Sequence, residues 1–421
     1  MITYKEVKLC EIADITMGQS PKSEYYNNKR LGTPFMQGNR TFGFKLPTFD
    51  TYTTVVTKLA FPNDIIMSVR APVGALNITP IKMCLGRGLC SLRSKNNNQT
   101  FLYYLLKYYS NDLVNKETGT VFGSISYNDI ANLSVFIPED VDIQQKIAAV
   151  LSALDDKIEL NNKINKNLEE QAQALFKSWF IDFEPFGGTM PEDWNEVSLS
   201  DIAEFTSGYS YKGTELQNSN IAMATIKNFD RSSGFKLDGF KEIVPSEKLK
   251  ETQRVNLFDI LVAHTDLTQN AEIIGNAELL LNKSGYSDII LSMDLVKVTP
   301  KEHIVSPFLL ALLLKNPVFK QHCLGYVNGT TVLHLSKKAL PEYKLWLPAD
   351  LSILNSLAVL IESLYKQISS NIAESTYLAS IRDTLLPRLM SGEIDVSKVD
   401  ISDPGCLDKL SFSDEGADGD K

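Results

Sequence analysis

Glu6-Val7-Lys8-Leu9-Cys10-Glu11-Ile12-Ala13-Asp14-Ile15-Thr16-Met17-Gly18 is written again 190 residues later as Glu196-Val197-Ser198-Leu199-Ser200-Asp201-Ile202-Ala203-Glu204-Phe205-Thr206-Ser207-Gly208. Seven of the 13 positions are identical, and the acidic positions correspond, Glu11 with Asp201 and Asp14 with Glu204. A second match closes each half at an offset of 210: Gly119-Thr120 with Gly329-Thr330, Ser126 with Ser336 and Pro138 with Pro348. It runs on without a gap through Ala148 and Ala358, Leu154 and Leu364, Ile158 and Ile368, Asn161 and Asn371, Leu168 and Leu378. The step from 190 to 210 predicts 20 extra residues in the middle of the second half. Self-similarity at a fixed period marks a repeated structural unit. A kept frame around diverged centres is the form expected of two related binding modules with different targets.

Each half first shows short β-branched and aromatic runs, such as Ala60–Val69 and Leu257–Ala263, broken by Gly, Pro and Asn in the manner of strands and turns. An amphipathic helix is expected near Phe101–Tyr109 and again near Pro307–Leu314. Each half then closes in a long helix, preceded by Pro138-Glu139-Asp140 or Pro348-Ala349-Asp350 as N-cap chemistry. Ile147, Leu151, Leu154, Ile158, Asn161, Asn165, Leu168, Ala172 and Leu175 recur at spacings of 4 and 3. Leu357, Ile361, Leu364, Ile368, Asn371, Ser375, Leu378, Arg382 and Leu385 repeat that pattern, the seam of a coiled coil. Chain order makes such a coil antiparallel, with Asn161 and Asn371 meeting near its middle as register-setting residues. The expected fold class is α+β: two tandem pseudo-symmetric α/β domains, residues 1–141 and 185–349, separated by long helices at 142–184 and 350–392 that form an antiparallel coiled coil. Residues 393–421 are read as an acidic, disordered tail. At ~1.5 Å per residue, ~34 helical residues make a rod of roughly 50 Å, a ruler between the two modules.

The chain has 421 residues and a net charge of -9, which looks wrong for a polyanion binder until it is divided. Residues 1–141 hold 15 Lys+Arg against 11 Asp+Glu, and residues 193–349 hold 16 against 18. The acidity concentrates in residues 142–192, with 5 against 9, and in residues 350–421, with 6 against 13. Local charge, not the global sum, decides whether a phosphate can approach. Five cysteines (Cys10, Cys84, Cys90, Cys323, Cys406) form no C-x-x-C pair, pointing to reduced thiols. The longest apolar run, Phe308–Leu314, is far short of the ~20 residues of a membrane span. With no apolar leader in Met1–Glu6 either, a cytoplasmic location away from membranes is expected.

No catalytic motif survives inspection. His264, His303, His322 and His334 lack H-E-x-x-H spacing, and no G-x-x-x-x-G-K-[ST] is present. Gly86-Arg87-Gly88 lacks the rest of a dinucleotide fingerprint. The one Asn-Pro, Asn316-Pro317, is followed by Val318, not by the Pro-aromatic pair of DNA amino-methyltransferases, and no Pro-Asp begins a nuclease core. The expectation is a non-enzymatic chain that binds no metal or cofactor.

Gln144–Asn161 and its continuation Leu168–Phe180 resemble the central conserved region of type I restriction-modification DNA specificity subunits. Pro191-Glu192-Asp193-Trp194 is similar to the start of their second target-recognition domain, and Leu385–Ile394 to the end of their distal helix. The resemblance covers about residues 4–395 and fails in the tail. It implies that each module reads one half of a split, asymmetric site on double-stranded DNA. It further implies that two methyltransferase subunits dock on the helices and that restriction/translocase subunits join them. S-adenosylmethionine, ATP and Mg²⁺ would then sit on the partners.

Phosphate contacts are expected from Lys and Arg, and base readout from Arg, Asn, Gln, Ser and Thr on exposed loops. In the first module the candidates are Lys22, Gln37, Asn39, Arg40, Lys45 and Arg70, with Ser124 and Tyr127 close by. In the second they are Lys212, Lys227, Asn228, Arg231 and Lys236, the loop from Thr265 to Asn270, and Lys337 and Lys338. An acidic DNA-mimic inhibitor of restriction, or a protein-only coiled-coil scaffold, are the alternatives. The first needs carboxylates spread along one face, whereas residues 1–141 are net positive; the second has no use for two divergent, loop-rich modules. A specificity chain without a working restriction partner also fits the sequence.

Overall fold

The computed structural model describes residues 2–116, 123–231, 234–268, 270–302 and 304–399. Gly119-Thr120, His303, Cys406 and most of the tail expected at 393–421 lie outside the described residues. The chain packs into two compact units, Met1–Leu160 with Tyr377–Lys421, and Asn161–Thr376.

The duplication read from the sequence extends to strand register. Unit one opens and closes on an antiparallel pair, Tyr4 opposite Pro138 and Lys8 opposite Ser134. Unit two does the same, with Trp194 opposite Pro348 and Ser198 opposite Lys344. Unit one then has a four-stranded sheet in the order Ala13–Met17, Leu89–Ser94, Ile65–Ser68, Leu76–Ile78. Its counterpart in unit two runs Ala203–Ser207, Leu295–Pro300, Ile260–Ala263, Ala277–Leu279. A second sheet in each unit contains one parallel pair, Thr33–Met36 with Met83–Leu85 and Ile221–Ala224 with Asp288–Leu291.

Matching registers locate the extra length. The offset is 188 at Phe35 and Met223, 195 at Ile65 and Ile260, and 201 at Ile78 and Leu279. It is 206 at Cys84 and Ile290 and 210 at Val135 and Leu345. The net gain of 20 residues is therefore not one central insertion: a slight shortening comes first, and growth is then spread over four strand connections. Loops absorb length cheaply, since each doubling costs only about 0.6 kcal/mol in closure entropy, whereas one extra residue inside a strand would turn its side chains to the wrong face.

The long helices run Val141–Phe180 and Asn355–Met390. Asp140 caps the first through Asp142 N at 2.9 Å, as its position predicts. Asp350 instead caps a 3-10 turn, Leu351–Leu354, through Ser352 N, and the second helix starts after it. The seam residues are mostly buried, but not only against the opposite helix. Ile147, Leu151, Leu154, Leu385 and Leu389 share one core with Leu9, Ile65, Leu92 and Leu105. Ala172, Leu357, Ile361, Leu364 and Ile368 share another with Leu199, Ile260, Val298 and Leu310. Each unit thus takes in part of both long helices, and the packing division departs from the five sequence segments for that reason.

One of the shorter helices differs from expectation. Gln99–Tyr108 buries Phe101 through Leu106 without interruption, and Pro307–Leu314 buries every residue from Phe308 on. Gln99–Tyr108 keeps the expected amphipathic character, with Gln99, Thr100 and Lys107 outside its buried stretch, whereas Pro307–Leu314 is apolar and covered all round.

Charged groups lock the long helices inside each unit. In unit one the Asp155 carboxylate, 2% exposed, accepts from Arg382 Nη1 at 2.6 Å and from Tyr104 OH at 2.8 Å. Burial, and then the Asp155 charge, push the Tyr104 hydroxyl far above its ordinary range, so it stays a neutral donor. In unit two the buried Lys315 ammonium lies 2.8 Å from Glu278 and 3.1 Å from Glu169 of the first long helix. Asn161 Nδ2 donates to Glu374 Oε2 at 2.7 Å and Ser375 Oγ at 3.2 Å, and Asn371 Nδ2 donates to Asn165 Oδ1 at 2.8 Å. Residue numbers rise on one helix as they fall on the other, so these segments run antiparallel. Asn161 and Asn371 are buried and meet directly, Asn161 Nδ2 donating to the Asn371 backbone carbonyl at 3.4 Å, and not as a pair of side-chain amides.

The connection between Ile260–Ala263 and Ala277–Leu279, six residues longer than its unit-one counterpart, is braced from outside by Lys320, which donates to Glu272 O, Ile274 O and Asn276 Oδ1, and from within by the buried Asp266. Asp266 accepts from the backbone N–H groups of Thr268 and Ile273, each at 2.8 Å, and from Thr268 Oγ1. Burial alone would raise its pKa, but the N–H groups of Ile273 and Thr268 win and hold the carboxyl below its ordinary value.

Arg382→Met removes the nearer cation and leaves Asp155 with Lys107 at 3.9 Å and the Tyr104 hydroxyl; it should cost about 3 kcal/mol in chemical denaturation, while Asp155→Leu with Arg382→Met should recover most of that loss. Asp266→Ala should cost about 3 kcal/mol and speed hydrogen exchange at Ile273 and Thr268. Because the folded carboxyl titrates lower than the unfolded one, its contribution is complete at neutral pH and fades as the pH falls through the ordinary carboxylate range toward the lowered folded value. The difference in stability between Asp266→Asn and the parent should shrink over that same acid range.

Candidate nucleic-acid interface

In unit one three backbone segments meet beyond the ends of the sheet strands. Gly88 N donates to Gln37 O at 3.0 Å, and Val69 N donates to Gly88 O at 2.9 Å. Gly86 N donates to Met36 O at 2.8 Å. The approach requires glycine: a Cβ on Gly86 would stand 2.6 Å from Gln37 Cα, and one on Gly88 2.4 Å from Gln37 O. Side chains next to these contacts line a hollow of about 210 Å³, among them Gln37, Asn39, Arg70 and Arg87. Gln37, Arg70 and Arg87 are exposed and Asn39 is half-buried. Ile125 N donates to Val69 O at 3.0 Å, and Ser124 bridges Arg70 through the backbone.

The structure therefore brings together Gln37, Asn39 and Arg70, with Ser124 at their edge. Tyr127, 46% exposed, begins the helix Tyr127–Ala131. Lys22 is exposed but lies outside the hollow, 4.0 Å from Glu24. Arg40 is exposed and held at 2.5 Å by Asp50, whose carboxyl that hydrogen bond lowers. Lys45 is engaged elsewhere: its half-buried side chain reaches Asp156 on the long helix at 2.7 Å, a structural tether.

In unit two Lys227, Arg231 and Lys236 line one hollow of about 370 Å³, with Leu267 and Thr268 from the longer connection. Arg231 pairs with Glu272 at 3.1 Å and Lys236 with Asp230 at 3.7 Å. Lys212 and Asn270 are exposed but do not line it. Lys337 and Lys338 are exposed on the turn after the strand Leu333–Leu335.

Two expected base readers are corrected. Asn228 is fully buried; its Oδ1 accepts from Thr225 N at 2.8 Å and its Nδ2 donates to Lys236 O at 2.7 Å. Both ends of the amide brace the loop, leaving nothing to offer a base. Thr265 is 4% exposed within the strand Thr265–Asp266 and is likewise internal. Arg87 also lines the hollow and is absent from the sequence expectation. Its signal lies in Gly86-Arg87-Gly88, where two glycines force close backbone approach and leave the side chain between them pointing outward, a property separate from any phosphate fingerprint. Among the described residues no group of three His, Cys, Asp or Glu side chains is arranged to hold a metal ion, and no helix is long and apolar enough to cross a membrane.

Three likenesses to known proteins bear on the chain. A protein of Methanocaldococcus jannaschii provisionally named as the MjaX type I restriction enzyme specificity subunit is 38% identical over 163 residues, which is 38% of each chain. The type I restriction enzyme MjaIX specificity subunit of the same organism is 29% identical over 370 residues, covering 80% of this chain and 78% of that one. The crystal structure of a type I restriction-modification system S subunit from M. genitalium superposes with a TM-score of 0.56 at 16% identity, over 92% of this chain and 96% of that one, a likeness of fold. The family described as "Type I restriction modification DNA specificity domain" matches twice, at residues 1–170 and 191–374. Those two matches fall on the two halves of the repeat and span most of the sequence, and the chain belongs to the type I restriction-modification DNA specificity family.

Proposed function

We propose that this chain is the sequence-reading subunit of a type I restriction-modification assembly, and that each unit recognises one half of a bipartite, asymmetric site on double-stranded DNA. The observation that carries this reading is the duplicated strand framework, which ends in a polar hollow in each unit, lined by exposed Arg and by amide side chains in unit one and by exposed Lys and Arg beside carboxylates in unit two. Family membership supplies the context. The side-chain chemistry suits DNA readout. Lys and Arg neutralise phosphates, while Gln, Asn and Arg on a fixed backbone carry the donor and acceptor patterns that distinguish base pairs in the major groove.

In this reading the long helices act as the spacer that fixes the gap between half-sites, and they and their flanks dock two methyltransferase subunits. A near-repeat within one asymmetric chain offers two like partners two similar surfaces. Restriction/translocase subunits join through the methyltransferases. The chain performs no catalysis; S-adenosylmethionine, ATP and Mg²⁺ belong to the partners, and the assembly works in the cytoplasm.

Co-expression with the neighbouring methyltransferase in a host lacking N6-adenine methylation, followed by single-molecule sequencing, should reveal a split methylated motif that vanishes when this chain is omitted. Methylation without a split motif, or no co-purification of the two proteins, would sink the reading.

A further inference from the structure

We infer that Arg70 and Arg87 form the guanine-reading centre of unit one, each able to donate two parallel N–H bonds to O6 and N7 of a guanine in its half-site. This rests on the function proposed above and narrows it to two side chains and one base.

The first observation is an arginine inventory. The chain has nine arginines. Arg40, Arg93, Arg231, Arg254, Arg382 and Arg388 are each ion-paired to a carboxylate within their own unit. Among the described residues Arg30, Arg70 and Arg87 have no carboxylate within ion-pair distance, and two of these three line the same hollow. Two guanidinium groups gathered there without an internal counter-charge are arranged for an external acceptor.

The second observation is rigidity. Arg70 follows Val69, and Arg87 precedes Gly88, the residues joined by the 2.9 Å backbone bond. Arg87 N also donates to Ser20 Oγ at 3.0 Å. Both side chains therefore project from ordered backbone, and a planar fork on a fixed base is the geometry that reads guanine, the commonest specific arginine contact.

The third observation comes from the repeat. The bonds around the unit-one centre recur in unit two: Ser292 N to Ala224 O, Leu295 N to Ser292 O, His264 N to Asp294 O and Leu335 N to His264 O. They match Gly86 N to Met36 O, Leu89 N to Gly86 O, Val69 N to Gly88 O and Ile125 N to Val69 O. On that register Arg87 corresponds to Met293 and Arg70 to Thr265. Met293 is 51% exposed and Thr265 is buried, so the arginine pair belongs to unit one alone. A structural need for arginine at these points would have left a cation in both units. Its replacement by a thioether and an internal hydroxyl is what a change of target base produces.

The test uses the complex with its methyltransferase. Arg70→Lys and Arg87→Lys keep the positive charge but lose the planar, rigid fork, while Arg70→Ala and Arg87→Ala lose both. Each lysine variant should relax one G·C position, both in the same half of the methylated motif, lowering the preference for guanine about 5- to 150-fold. The other half-site and the salt dependence of binding should be unchanged. Should a variant fail to assemble, the parent complex bound to duplexes carrying 7-deazaguanine at G positions of either half gives the same answer, because the N7 acceptor is gone: affinity should fall at one or two positions of one half-site. A half-site motif unchanged in both lysine variants, a uniform loss with a shallower salt slope in the alanine variants, or indifference to 7-deazaguanine would assign the arginines to phosphates and overturn the inference. Absence of any split motif with the parent chain would instead remove the function on which it rests.

Discussion

Asp155 carries a charge into the interior of unit one, and the surrounding packing depends on how that charge is met. A buried carboxylate is tolerated only when it is paired and hydrogen-bonded. Arg382 comes from the second long helix and Tyr104 from the short buried helix. One group thereby ties three segments to a single relative position. Lys315 does the equivalent in unit two with the opposite sign, through Glu278 on a strand and Glu169 on the first long helix. Apolar burial supplies most of the stability of such cores, but it is non-directional; the ion pairs select one arrangement among several that would be similarly greasy.

The repeat is legible in the sequence because it lies in strands and helices, where register is tied to burial and a slip exposes a whole face. The seam can be read down to Arg382, an oddity at an apolar position that the structure explains by Asp155. Three features are not legible. Pro307–Leu314 looks like half of an amphipathic pattern in a short window, since periodicity cannot show what covers the outer side. Asn228 and Thr265 are polar residues between apolar runs, and a loop brace has the same sequence signature as a reader. Arg87 is hidden by its setting: Gly86-Arg87-Gly88 looks like a fragment of a phosphate cradle, whereas its glycines serve the approach of Gln37.

Charge illustrates the limits of sums. Ion pairing removes six arginines from circulation, so the net charge of -9 says little about what a ligand meets in the unit-one hollow. The unit-two hollow has three basic side chains, yet two of the three have carboxylates beside them. Similar frameworks thus present different electrostatic surfaces, which suits unlike targets better than a uniformly basic face would.

The four strand connections that absorb the extra length bear on how such a protein changes over generations. Each increment of four to seven residues left the flanking ladders in register. A lineage can therefore lengthen one connection at a time, every step being separately viable, with folding free energy nearly level along the path. The surface at the strand ends can change in this way while the strand framework stays as it is, and no member of the series needs to pass through an unfolded ancestor.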